Sequence, residues 1–269
     1  MKMEAKTMKK ILALVAILTL CQSGFAGVNM GNFRFGLKVQ PNITWLSPED
    51  KKVFTSGGVK ATFTYGLMVE YKLNSVASLA TGFDFSSFGG RLAAADTLTF
   101  YNPLDVNPAG KSVVYVLSKR SYSVNYFEIP ITLKMRSAEQ PNGFTYFGLF
   151  GVNVGFRGKS MADDEGYYKY YSGANPPTFS SYKEYKSRPD NNVSEDVNWA
   201  RVGLNVAVGA EYKLGGSTAL VMSLHYLNGF TNALTGVSSS LIRSTGSSTV
   251  PTDLTGRFSG ASLNVGILF

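Results

Sequence analysis

The feature that most constrains this chain is strict alternation of apolar and polar side chains over unusually long runs. Residues 33–45 set Phe33, Phe35, Leu37, Val39, Ile43 and Trp45 between Arg34, Gly36, Lys38, Gln40, Asn42 and Thr44. Successive side chains of a strand point to opposite faces, so this run has one apolar and one polar face as a strand, and no such division as a helix. Residues 59–73 repeat the pattern, with Val59, Ala61, Phe63, Tyr65, Leu67, Val69, Tyr71 and Leu73 against Lys60, Thr62, Thr64, Gly66, Met68, Glu70 and Lys72. Both runs exceed the 9–11 residues or so that carry a tilted strand across a bilayer.

Further runs of the same kind cover 76–88, 122–135, 144–157, 197–214, 218–228 and 258–269. In 122–135 the apolar phase changes between Tyr126 and Phe127, and Pro130 removes a ladder donor, so a bulge, a wall contact or interrupted pairing is expected there. The links between runs sort by length. Those at 74–75, 140–143 and 215–217 are short, whereas 46–58, 89–120, 158–196 and 229–257 are long. A membrane barrel with both termini in the periplasm has short turns there and long loops outside. The expected fold is therefore all-β: an eight-stranded antiparallel up-and-down transmembrane β-barrel, integral to the outer membrane, with short periplasmic turns and long extracellular loops.

The two ends agree with that expectation. Lys9 and Lys10, the apolar run 11–20, and the small-residue site at Gly24, Phe25 and Ala26 have the form of a secretory signal peptide, so 1–26 is expected to be cleaved and 27–269 to form the barrel. Cys21 offers a lipoprotein alternative, but Leu20 before it is larger than a lipoprotein peptidase accepts. The last run places Leu263, Val265, Ile267 and Phe269 on one face, and an aromatic at the end of such a strand resembles the signal by which bacterial barrels are recognised for assembly. A soluble calycin, such as a lipocalin, would share the alternation with its faces reversed. The sorted links, the terminal aromatic and the strand-end aromatics Trp45, Tyr71, Tyr146, Tyr212 and Phe269 favour the membrane.

Composition narrows the function classes. The formal charge of +8 falls to +5 without the four lysines and one glutamate of residues 1–26, too mild a balance to imply nucleic acid. Cys21 is the single cysteine, so cleavage after Ala26 leaves no thiol or disulfide chemistry. The expected surroundings are outer-membrane lipid and lipopolysaccharide, with the barrel-assembly machinery as a transient partner and a monomer as the assembled state.

The segment Asn125 to Met135, NYFEIPITLKM, followed by a turn and Tyr146 to Phe156, YFGLFGVNVGF, resembles the PorT-like outer-membrane β-barrel family common in Bacteroidetes. The opening FGLKVQPNITW, Phe35 to Trp45, is similar to that family's first strand. The resemblance implies the fold and the location. Its namesake is associated with a secretion machinery, which implies an accessory role in envelope assembly or secretion.

Candidate chemistry is sparse, and a non-enzymatic protein without cofactor or metal is expected. The polar faces gather Arg34, Lys38, Lys60, Glu70, Lys72, Glu128, Lys134, Asn153, Arg157, Arg201, Asn205, Glu211, Lys213 and His225. Eight strands leave an interior that side chains fill, so these groups are expected to pair rather than line a channel. Ser223 and the single histidine, His225, share a strand face, which some outer-membrane lipid hydrolases exploit, but no positioned third group is evident. Asp163, Asp164 and Glu165 lack the spacing of a calcium loop. The third long link carries Tyr167, Tyr168, Tyr170, Tyr171, Tyr182 and Tyr185 among basic residues. Tyrosine offers a rigid amphipathic contact surface, which suits a protein or glycan partner outside the cell.

Overall fold

The computed structural model describes residues 31–95, 99–101, 105–106, 112–170, 184–245 and 248–269. The expected signal peptide, Tyr171 and Tyr182 lie outside the described residues. The strands in chain order are β1 (Phe33–Pro48), β2 (Phe54–Lys72), β3 (Ala77–Ala94), β4 (Thr99–Tyr101), β5 (Asp105–Val106), β6 (Ser112–Arg136), β7 (Phe144–Tyr170), β8 (Glu184–Asn192), β9 (Ala200–Gly215), β10 (Thr218–Gly229), β11 (Gly236–Thr245), β12 (Ser248–Leu254) and β13 (Gly256–Leu268). A single-turn 3-10 helix, Ser194–Asp196, precedes β9.

Eight of these close into a ring, β1, β2, β3, β6, β7, β9, β10 and β13, with β13 returning to β1 and β6 pairing β7. The ladders described are antiparallel, from Gly36 opposite Leu268 to Phe144 opposite Tyr212. Each ring strand coincides with one of the alternating runs. The faces orient the wall: Val39, Ile43, Phe63, Tyr65, Phe85, Ile131, Phe150, Val208 and Leu224 point outward, while Gln40, Asn42, Thr64, Asp84, Ser86, Thr132, Asn153, Asn205 and His225 are buried inside. A calycin has the reverse arrangement, so that alternative is excluded.

Aromatic pairs mark the limits of the apolar band. Phe144 and Tyr212 lie 4.9 Å apart near the short turns, and Phe156 and Trp199 stack at 6.0 Å toward the long links. Twelve residues of β7 separate the two levels, and at about 3.3 Å each with a tilt near 40° they rise roughly 30 Å, the thickness of a hydrocarbon core.

The strands do not stop at the upper level, and here the sequence expectation is corrected. The link expected at 46–58 shrinks to five residues between Pro48 and Phe54. The other long links are largely strand: β6 and β7 run on to Ser112 and Tyr170, with β8 beside β7, and β4, β11 and β12 beside β6. A six-stranded antiparallel sheet, β12-β11-β4-β6-β7-β8, thus stands on the ring.

The phase change at Tyr126 and Phe127 marks this boundary. The β3–β6 register is unbroken across it, from Asp84 opposite Glu128 to Ser87 opposite Asn125. What changes is the interior. Below it the inward residues of β6 are Glu128, Pro130, Thr132 and Lys134; above it Tyr126, Val124 and Tyr122 are inward and buried. The expected bulge is present, but the extra residue belongs to β7, where Val124 faces Ser160 and Tyr126 faces Arg157. Pro130 stays paired with Asn153 on its β7 side, and Gly82 and Phe83 drop out of the β3 ladder opposite Pro130 and Ile129. Gly82 there lies so close to the Leu67 carbonyl that a Cβ would collide with it.

Candidate functional site

Ion pairs cross the lumen between strands that are not neighbours. Arg34 Nη1 on β1 lies 2.9 Å from Glu211 Oε2 on β9, and Lys134 Nζ on β6 lies 3.0 Å from Glu70 Oε2 on β2. Lys134 also meets Glu211, and Arg136 meets Glu70. These five side chains form a layer just inside the short-turn mouth. Deeper in, Lys38 Nζ donates to Asp84 Oδ2 at 2.7 Å, and Arg201 Nη1 donates to Glu128 Oε1 at 3.0 Å. The Arg201 guanidinium also stands 3.8 Å from the Phe88 ring centre. A lone charge inside the barrel would be costly, and these pairs remove that cost while occupying the bore. Lys72 and Lys213, which the alternation also assigns to the lumen, are exposed at the mouth because their strands end there.

Between the ion pairs lies a neutral relay that the sequence showed only in part. Ser223 Oγ is 2.9 Å from His225 Nε2, and His225 Nδ1 is 2.9 Å from Asn205 Oδ1. Asn205 Nδ2 donates to Asn153 Oδ1 at 2.9 Å, and Asn264 Nδ2 donates to Ser223 Oγ at 3.1 Å. With its amide committed to Asn153, Asn205 accepts from His225 Nδ1–H, which leaves Nε2 bare to accept the Ser223 hydroxyl proton. The connectivity is that of a nucleophile, a base and an orienting group. The third member, Asn205, is on the adjacent strand β9, so only the β9–β10 register reveals it. The cavity beside Ser223 measures about 60 Å³ and is bounded by Met68, Phe147, Leu149, Val221 and Leu268. It has room for a few waters and none for an acyl chain.

Toward the long links the interior turns apolar. Leu46, Phe54, Phe88, Leu92, Tyr122, Val124, Tyr126, Leu227 and Phe258 pack there with Val193, Val197, Leu234, Leu241 and Leu254 from the overlying segments. Above the membrane there is no lipid to cover an outward apolar face, so burial inside becomes the favourable arrangement. Arg120 is fully enclosed beside this plug. Its Nε and Nη2 donate to Asp164 Oδ1 and Oδ2 at 2.7 and 3.0 Å, and its Nη1 donates to Asp196 Oδ2 at 3.1 Å. Asn191 Nδ2 adds a bond to Asp164 at 3.1 Å. One guanidinium therefore ties β6, β7 and the 3-10 turn together. Burial pushes the Asp164 carboxyl up to about 7, Arg188 pulling it down and Asp196 pushing it further up. Burial likewise raises Asp196, against Arg120.

The acidic run is divided by the strand it lies on. Asp164 points inward to Arg120, while Asp163 accepts from the Asp190 N–H at 3.0 Å and Glu165 lies 3.9 Å from Lys119. Alternation keeps the three carboxylates from converging, and among the described residues no cluster of metal-ligating groups forms. Of the tyrosines, Tyr167, Tyr168 and Tyr170 lie on β7 and are half-buried, and Tyr185 is on β8 opposite Tyr167. Tyr168 packs on the apolar plug and meets the Tyr115 ring edge-on at 5.3 Å. Leu263, Val265, Ile267 and Phe269 share the lipid-facing side of the last strand, and Phe269 N donates to the Phe35 carbonyl at 2.7 Å.

This geometry can be set beside known proteins. In solved structures the chain is similar to the neisserial surface protein NspA, at 10% identity and a TM-score of 0.37 over 88% of this chain and 95% of that one. It is similar to Ail, the attachment invasion locus protein of Yersinia pestis, at 11% identity and a TM-score of 0.33 over 88% and 99%. It is also similar to the outer membrane protease OmpT from Escherichia coli, at 12% identity and a TM-score of 0.32 over 89% and 96%. No curated protein sequence matches. The family model described as the outer membrane protein beta-barrel domain matches residues 22–235, most of the chain. With its closed ring of strands, apolar outside and polar inside, the chain belongs to that family and is an integral outer-membrane protein.

Proposed function

We propose that this protein is a non-enzymatic outer-membrane barrel of the PorT-like kind, closed to solutes, that acts through the sheet standing outside the membrane. The observation that carries the reading is the contrast between its two parts. The bore is filled by paired charges and an apolar plug, whereas β6 and β7 extend well beyond the membrane and recruit further strands. A conduit does not need that sheet, and a bare lipid anchor does not need it either. Tyr167, Tyr170 and Tyr185, with their neighbours on β7 and β8, are the contact residues of this reading, and the partner is a protein or glycan at the cell surface or an envelope-assembly or secretion component.

The test is site-specific photocrosslinking in intact cells, with the photoreactive side chain at Lys159 or Asp163, both exposed on β7 above the membrane level. A discrete adduct from these sites, absent from a control site on the lipid face such as Phe150, supports the reading. Adducts to lipid alone, or none, would overturn it.

One arrangement favours a second reading, a lipid hydrolase, namely the hydrogen-bonded series from Ser223 through His225 to Asn205. Access opposes it. The serine faces a cavity of only about 60 Å³, with the ion-pair layer below and Arg201, Glu128 and the plug above. The relay instead satisfies polar groups inside the wall.

A further inference from the structure

We propose that the short-turn mouth of the barrel is a binding cup for a small oxyanion, the charged end of a phosphate- or carboxylate-bearing ligand on the periplasmic side. The mouth is a cavity of about 210 Å³, open outward and floored by the ion-pair layer. Its wall carries Arg34, Lys72, Arg136 and Lys213 with Glu139 and Glu211, and Lys134 and Glu70 lie in the floor, so five cations stand against three carboxylates. Those carboxylates are committed: Glu211 to Arg34 and Lys134, Glu70 to Lys134 and Arg136, and Glu139 to Lys213. Lys72, by contrast, meets no acceptor among the described residues. The hydroxyls of Thr145, Ser217 and Thr218 also line the cup.

The cup is therefore rich in donors, poor in free acceptors and in excess of positive charge, the combination that recognises an oxyanion. Lys72 and Lys213 stand at the rim, at the ends of β2 and β9 on opposite sides of the ring, above guanidinium groups paired with Glu211 and Glu70. The dimensions suit a single phosphate group or carboxylate, not a polymer.

The experiment uses the full chain folded in an uncharged detergent, titrated with inorganic phosphate at constant ionic strength and read by amide chemical shifts. A saturable shift confined to Thr145, Ser217, Thr218 and their neighbours at the short turns is expected, together with at least a ten-fold weakening in the Lys72→Gln, Lys213→Gln double variant. Both side chains are exposed, so the variant keeps the buried layer and its fold, which heat-dependent mobility verifies. Nanodiscs separate the two sources of the anion. The same shift in phosphatidylglycerol discs without free phosphate, absent in phosphatidylcholine discs, assigns the group to a lipid headgroup; its absence in both assigns it to a soluble ligand. An equal response to chloride, a shift spread over the whole barrel, or an unchanged affinity in the double variant would overturn the proposal.

Discussion

Arg34 and Glu211 face each other across the bore, Nη1 to Oε2 at 2.9 Å, although β1 and β9 are separated around the ring by β13 and β10. A bond of that length between strands that do not touch fixes the width of the barrel at this level and closes it. Lys134 joins the same carboxylate from a third direction. Replacing Glu211 by Leu leaves Arg34 without its nearest partner and Lys134 with Glu70 alone. Breaking a buried pair of this kind costs roughly 3–5 kcal/mol. The midpoint of urea unfolding, followed by the heat-dependent mobility shift, is expected to fall accordingly in Glu211→Leu, and an unchanged midpoint would show that the layer does not contribute to folding.

Ser223 accepts from Asn264 and donates to His225, so its removal disturbs two bonds without touching a substrate. Ser223→Ala is expected to lose about 1–3 kcal/mol of stability while leaving phospholipid and lipid A profiles unchanged. The wild-type barrel is also expected to resist labelling by a sulfonyl fluoride, because the probe does not fit the cavity. Stoichiometric labelling of Ser223 would restore the hydrolase reading.

The burial of Asp164 predicts a pH dependence with a definite sign. A folded-state value of about 7 for Asp164, above its ordinary 3.8, means that folding binds a proton. The stabilisation is fully present below about pH 4 and is lost as the pH rises through 7. The extracellular sheet should therefore become easier to unfold between pH 5 and pH 8, as read by protease cleavage within β7 and β8. Asp164→Asn should flatten that slope, and an identical slope in the variant would place the titration elsewhere.

The last strand carries its own prediction. Phe269 ends the face formed by Leu263, Val265 and Ile267 while its N–H bonds to Phe35. If that face is what the assembly machinery reads, Phe269→Ser should lower the heat-modifiable fraction in the outer membrane several-fold, yet refold in detergent as well as the wild type. Equal loss in both settings would assign Phe269 to stability alone.

Much of this was legible in the sequence because lipid imposes a rule on every wall residue. Phe63, Tyr65 and Leu67 must face hydrocarbon, and the residues between them must not, so alternation alone located the ring strands. Beyond the upper aromatic level that rule lapses. Inward positions of β7 there are Ala162, Asp164, Gly166 and Tyr168, a mixture with no periodic signature, and the segment reads as a loop although it is strand. The apolar shift at Tyr126 was visible, but it reports a change of interior: β6 keeps its register with β3 there, and the bulge beside it lies in β7. Asn205 was placed in the lumen by alternation, but its partnership with His225 was not legible, because it depends on register between two strands, which no local pattern encodes.

The most direct test of the central claim is ion conductance of the refolded full-length protein in a planar lipid bilayer. A barrel crossed by Arg34–Glu211 and Arg201–Glu128 and plugged above them should insert without producing stepwise currents, and the heat-dependent mobility shift should show that it is folded. Stable, ohmic single-channel steps from the folded protein would contradict the account, because they would require the ion-pair layer and the apolar plug to leave the bore open.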